Sequence, residues 1–197
     1  MKKIALVVFS IVPLQLASAS AQRVPDNLQV PAGNHAFLDG HAAGTQNYMC
    51  LPSGSLFAWT AIGPQATLFR DNGRQIITHF LSTNPAENLA RATWQHSRDT
   101  SRAWAQAIAS SADPGFVAAG AIPWLLLQVV GTEEGPTSGD ILAKTTFIQR
   151  VNTIGGIAPS TGCGTAADVG KRAFVPYEAR YVFYAASVVF APAFPIF

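Results

Sequence analysis

The chain has 197 residues, 49% hydrophobic and only 12% charged, with 13 Lys and Arg against 11 Asp and Glu. Such a composition excludes a disordered chain, because the apolar content suffices for one sizeable core. It also excludes a nucleic-acid partner, since phosphate neutralisation needs a clustered basic surplus and the arginines here are scattered.

Met1-Lys2-Lys3, an apolar run from Ile4 to Leu16 and the small residues Ala17 to Ala21 are the three parts of a secretory signal. Cleavage is expected before Gln22, with a cut after Ala19 as the competitor. The run is short for a bilayer span and contains Pro13, so a membrane anchor is the weaker reading. Loss of Lys2 and Lys3 leaves 11 basic against 11 acidic residues, a neutral domain of about 176 residues. A secreted or periplasmic location follows as the expectation.

Residues 22–40 contain Pro25, Pro31 and Gly33 and read as an irregular lead-in. From His41 to Tyr184 short β-type runs alternate with turn residues, the pattern of an all-β, antiparallel sandwich or barrel in a single domain. The expected strands are Gln46–Cys50, Leu56–Ile62, Ala66–Arg70, Gln75–Phe80, Ile122–Val130, Leu142–Val151 and Ala179–Ala185. Asn72-Gly73 predicts a two-residue hairpin turn, in a register that pairs Phe69 with Ile76 and Leu68 with Ile77. His79 then shares a face with Leu68 and Ile77. Residues 87–111 have a helix-friendly composition. Alternation at Ala92, Trp94 and His96, then at Arg102, Trp104 and Gln106, favours a hairpin turning at Arg98-Asp99-Thr100-Ser101. The nearly continuous apolar run from Ile122 to Val130 suits a strand buried on both faces. Residues 185–197 form an apolar tail broken by Pro192 and Pro195, too short for a spanning helix.

Only Cys50 and Cys163 are present. In an oxidising compartment two lone cysteines are expected to pair; the alternative, a reactive thiol, wants a neighbouring base that neither has in sequence. Gly162-Cys163-Gly164-Thr165-Ala166-Ala167 matches a dinucleotide fingerprint, but no apolar strand leads into it and about thirty residues follow, too few for the rest of a doubly wound sheet. No cofactor is expected. The four histidines, His35, His41, His79 and His96, form no local metal-ligand spacing, so no metal is expected either. No G-x-S-x-G is present, and Glu133-Glu134 reads as a solvated turn before Gly135-Pro136.

Several segments are familiar in combination. They are His41-Ala42-Ala43-Gly44-Thr45-Gln46-Asn47-Tyr48-Met49-Cys50, Gly63-Pro64-Gln65-Ala66-Thr67-Leu68-Phe69, Thr78-His79-Phe80 and Ala121-Ile122-Pro123-Trp124-Leu125-Leu126-Leu127. Ile148-Gln149-Arg150-Val151-Asn152-Thr153, Gly155-Gly156-Ile157-Ala158-Pro159, Gly162-Cys163, Val175-Pro176-Tyr177 and Tyr181-Val182-Phe183-Tyr184 follow. In order and spacing they resemble the exported bacterial and fungal proteins grouped as DUF3455, a domain of unknown function. The resemblance runs from Gly40 to Tyr184. It implies an exported single domain whose two cysteines are paired. It does not extend to residues 87–111 or to the stretch after Tyr184.

The expected function is a non-catalytic exported module that binds a small molecule, a glycan or an envelope protein. Its candidate residues stand where polar groups interrupt apolar strands: His79, Trp94, Gln149, Arg150 and Asn152. For residues 149–152 a structural network leading to the Gly155-Gly156 turn is an equal reading. One alternative is a hydrolytic or metal-assisted enzyme using His79 or His96 with an acid, which requires histidines to converge. Another is a structural or stress-associated envelope protein.

Overall fold

Side chains alternate between two environments along eight antiparallel strands, and each strand pairs with the next in sequence. The computed structural model describes residues 23–187. The strands are β1 (Asn34–Ser53), β2 (Leu56–Phe69), β3 (Gln75–Asn84), β4 (Leu89–His96), β5 (Arg102–Ser111), β6 (Trp124–Glu133), β7 (Thr145–Gly155) and β8 (Arg172–Ala186). β8 returns to pair with β1 along fifteen register positions, which closes an up-and-down barrel. Closure removes the sheet edges that an open meander would expose. The all-β, antiparallel, barrel-like expectation holds. The signal segment, and the apolar tail from residue 188 on, lie outside the described residues.

The strands are longer than the sequence suggests. β1 begins at Asn34, directly after Gly33 (φ +83°), so the lead-in expected through Gly40 ends at Gly33. Gly40, taken as the end of the lead-in, and Gly44, just before the expected strand, are what lets β1 run for 20 residues pressed against its neighbour. A Cβ at Gly44 would stand 2.1 Å from the Gln65 carbonyl oxygen and 2.5 Å from Ala66 Cα, so only glycine fits this crossing. The two runs expected in residues 56–70 are one strand, because Gly63 (φ +118°) and the extra residue Ile62 absorb the bend as a bulge opposite Asn47 and Tyr48.

Three other boundaries move. Leu68 pairs with Ile77 as expected, but Phe69 pairs with Gln75, not Ile76. The connection spans Asp71-Asn72-Gly73, closed by Arg70 N–H to Arg74 carbonyl (2.9 Å) and Gly73 N–H to Arg70 carbonyl (2.8 Å). Only Gly73 takes positive φ, so this is a three-residue hairpin loop, and Ile76 becomes the bulged residue. β6 starts at Trp124, two residues after Ile122, because Pro123 has no N–H for the ladder. β7 starts at Thr145; Leu142 sits in the turn before it, where Ala143 N–H bonds to the Asp140 carbonyl (2.9 Å), and is wholly buried. The β4–β5 hairpin forms where alternation placed it, with Trp94 opposite Ala103.

The barrel interior is the main core: Leu68, Ile77, Trp94, Ala103, Leu127, Ile148, Tyr181 and Phe183 point inward. A second apolar cluster lies outside the barrel wall. There Val24, Leu28, Val117 and Ala121 cover Trp124, Leu126 and Val151, so the first residues of β6, Trp124 to Leu127, are covered on both faces, whereas Gln128 is exposed. Residues 134–144 fold back over one end of the barrel. Ile141 N–H donates to Asp99 Oδ2 (2.9 Å), Leu142 N–H donates to Ser101 Oγ (3.0 Å), and Leu142 plugs the end. At the opposite end Cys50 and Cys163 form the expected disulfide (Cα–Cα 5.5 Å), tying the end of β1 to the loop before β8.

Candidate functional site: a one-ended cavity in the barrel

Half-way along the barrel the interior is blocked by aromatic rings. His79 and Trp94 are cross-strand partners on β3 and β4, and their rings stack at 4.1 Å and 11°. Tyr181 of β8 stands edge-on to both, at 5.1 and 5.6 Å. The stack is accommodated because the inward positions beside it, Ala66 on β2 and Ala103 on β5, are small.

Between this floor and the end opposite the Leu142 plug, the inward residues shrink. Ala61 and Gly63 on β2, Ala92 on β4 and Ala105 and Ala107 on β5 leave a cavity of about 310 Å³, open at its mouth. Ile62, Pro64, Leu81, Leu125 and Leu127 complete an apolar wall, and Gln46, His79, Tyr181 and Arg150 supply the polarity. The mouth widens because neighbouring strands part: β2 and β3 pair only from Ala66 to Phe69, and β4 and β5 only from Ala92 to Gln95. Leu56, Leu81, Leu89, Ile108, Ile154 and Phe174, each at the strand ends on this side, are exposed.

Each polar group has a defined state. His79 is 3% exposed, and burial lowers its imidazole to a pKa of about 3, so the ring is neutral at neutral pH. Its Nδ1 lies 2.8 Å from the Thr93 carbonyl, which only accepts; Nδ1 therefore carries the proton and Nε2 is an acceptor. Burial likewise pushes the Tyr181 and Tyr177 phenols up, and their hydroxyls lie 3.2 Å apart. Among the described residues, Arg150 is the only ionic side chain lining the cavity. Its Nε and one Nη donate to the Pro123 carbonyl (3.3 and 2.8 Å), and it stands across the ladder from Tyr181. None of the ion pairs among the described residues involves Arg150. The Trp94 indole N–H is buried without a hydrogen-bond partner.

Of the five candidates, the structure brings His79, Trp94 and Arg150 to one cavity and places two elsewhere. Gln149 points out of the barrel. Its Nε2 donates to the Leu28 carbonyl (2.7 Å) and its Oε1 accepts from Tyr184 Oη (2.6 Å), so it clamps the N-terminal segment. Adjacent strand residues face opposite sides, which is why Gln149 and Arg150 part company. Asn152 is exposed at the β7 bulge with φ +51°. Gln46, Tyr181 and the row of small residues are the members that the sequence reading did not find. The period-two spacing of Ala103, Ala105 and Ala107 was the available signal, but only barrel closure gives it meaning.

The histidines do not converge. His41 Nε2 is 3.0 Å from Asp71 Oδ1 on the surface, and His96 lies at the plugged end with Nδ1 3.0 Å from Asp99 Oδ1. That carboxylate also accepts from Ser101 N–H, Ser101 Oγ and Ile141 N–H, so the pair holds a turn together. His79 has a carbonyl rather than a carboxylate behind it, and its depressed pKa makes it a weak base. Among the described residues no three His, Cys, Asp or Glu side chains are grouped to hold a metal ion.

No curated protein matches the chain, and no solved structure matches it. A family model does, over residues 31–185, a span that takes in every strand except Ala186, the last residue of β8, and includes both cysteines and the whole cavity wall. The chain belongs to the family described as a protein of unknown function, DUF3455.

Proposed function

We propose that this protein is an exported, non-catalytic binding module that holds a small, largely apolar molecule inside its barrel. The observation that carries the reading is the cavity of about 310 Å³, lined by alanines and leucines, closed below by aromatic rings and open at one end. Eight-stranded barrels are just wide enough to be filled by side chains or to hold one small ligand, and the mouth of a barrel is a common ligand site. Here the side chains fill one half and stop. The apolar residues around the mouth suit a ligand that leaves water as it enters.

Export rests on the tripartite N-terminus and on the disulfide, a bond that persists in oxidising compartments. Intact mass measurement on protein secreted or released by its own host tests it. A chain starting at Gln22 is expected; a chain retaining residues 1–21 overturns the export reading.

Binding is tested by thermal melts of the oxidised protein against small apolar probes, 1-octanol, octanoate and phenylbutyrate. A ligand at a hundred times its dissociation constant stabilises by about 2.7 kcal/mol, about 5–11 °C for a domain of this size. A saturable shift supports the module. No shift with any probe, together with unchanged tryptophan fluorescence, overturns it for molecules of this class.

A further inference from the structure

Among the described residues the cavity is lined by one cation and no anion. Its wall is otherwise neutral: alanine, leucine, isoleucine, proline and glycine, with Gln46, Trp94, His79 and Tyr181. Arg150 comes inward from β7 between Leu125 of β6 and Tyr181 of β8, its two cross-strand neighbours. It is half-buried, and the Pro123 carbonyl that takes its Nε and one Nη offers a partial charge but not a counter-ion. Its charge acts on Tyr48, His79, Tyr177 and Tyr181, and it hydrogen-bonds to Tyr181. None of the four neutralises it: the phenols are held protonated by burial, and the imidazole is neutral.

A guanidinium in an apolar recess is costly unless it is paired. Proteins meet that cost with a carboxylate, and among the described residues none is supplied to Arg150. A guanidinium has five N–H donors in a planar fork that matches a carboxylate; here the Pro123 carbonyl and the Tyr181 hydroxyl, both neutral, are its hydrogen-bond partners. The Trp94 indole N–H, in a residue that lines the same cavity, is buried without a partner.

Resting on the binding reading above, we infer that the ligand is an apolar carboxylate, its hydrocarbon or aryl body against the alanine-lined wall and its carboxylate on Arg150. Size limits the body to that of a short acyl chain or one substituted ring, because the cavity of about 310 Å³ lies at the small end of ligand pockets. The aromatic floor and the apolar wall exclude a polyhydroxylated sugar, whose hydroxyls would find too few partners there.

The test is a matched pair of probes, octanoate and 1-octanol, titrated by calorimetry at pH 7.5 into the full oxidised protein and into Arg150→Met and Arg150→Lys. Octanoate is expected to bind at least about tenfold tighter than 1-octanol, as a charge-assisted hydrogen bond in a recess provides. That ratio is expected to fall to about one in Arg150→Met and to recover in part in Arg150→Lys. Equal affinities for the two probes in the unmodified protein, or a preference that survives in Arg150→Met, overturn the carboxylate while leaving a binding barrel. Binding of neither probe overturns both readings. The comparison in the unmodified protein decides the matter even where a variant fails to fold.

Discussion

Ala92→Leu asks whether the space in the barrel is real. The residue is half-buried, lines the cavity and faces Leu81 and Ala105 on the flanking strands. Leucine adds three carbons. At about 0.8 kcal/mol per buried methylene, full accommodation stabilises by about 2.4 kcal/mol, which raises Tm by about 5–10 °C for a domain of this size. Ala103→Leu is the matched control. Ala103 also faces inward on β5, but it is 0% exposed, packs opposite Trp94 and does not line the cavity. Overpacking there is expected to cost about 1–3 kcal/mol. Melts followed by near-ultraviolet circular dichroism give both numbers on the oxidised protein. Opposite signs are the expected result. Equal losses would mean that position 92 is as tightly packed as position 103, and octanoate binding unchanged in Ala92→Leu would place the ligand somewhere else.

Replacing both Cys50 and Cys163 by serine frees a loop of sequence separation 113 and is expected to lower the unfolding free energy by about 2–5 kcal/mol in urea titrations. Buried His79 titrates at about 3 when folded and near 6.5 when unfolded, so the unfolded chain binds the extra proton between those values. Stability is therefore complete above about pH 6.5 and falls on acidification by up to about 1.4 kcal/mol per pH unit until about pH 3; His79→Gln should flatten this limb, and an unchanged slope would refute the assignment. For Asp99, burial pushes the carboxyl up, but hydrogen bonds from Ile141 N–H and Ser101 outweigh it and hold the pKa below the ordinary value. Its contribution is thus present above about pH 4 and lost below it, and Asp99→Asn should loosen the 134–144 plug, seen as faster amide exchange at Ile141 and Leu142. Gly44→Ala drives a Cβ into the Gln65 carbonyl oxygen at 2.1 Å and is expected to lose about 1–3 kcal/mol by the same urea assay.

Much of the scaffold was legible because it rests on local rules. Period-two alternation located the β4–β5 hairpin and the inward face shared by Leu68, Ile77 and His79, and the continuous apolar run marked a β6 strand whose first residues are covered on both faces. The disulfide followed from two cysteines and a compartment. What failed was the reading of several strand glycines as breakers. Gly40, Gly44 and Gly63 lie within strands, where a barrel wall must bend or two backbones must approach, and sequence alone does not separate that use from a loop. Register failed by one residue after Leu68, because a three-residue loop and a bulge at Ile76 together mimic the expected two-residue turn.

The site was half legible for a related reason. Polar residues within apolar strands are visible in sequence, so His79, Trp94 and Arg150 could be singled out; which side of the wall each faces depends on register, and Gln149 stood beside Arg150 on the wrong side. The cavity itself consists of missing bulk. Ala61, Gly63, Ala92, Ala105 and Ala107 come from three strands separated by up to 46 positions, and no motif joins them until the barrel closes. A chain shaped by stability alone would fill that volume, since every methylene added there without strain is worth about 0.8 kcal/mol. The other half of the same interior shows that this chain can do so, with Leu68, Ile77, Leu142, Ile148 and Phe183 all fully buried. Packing that is complete on one side of the His79–Trp94 stack and absent on the other is thus a property of the inward residues, not of barrel geometry. The same half that lacks bulk holds Arg150, which takes part in none of the ion pairs among the described residues. Unfilled space and a cation with only neutral hydrogen-bond partners coincide in one place, and a single small apolar anion would complement both.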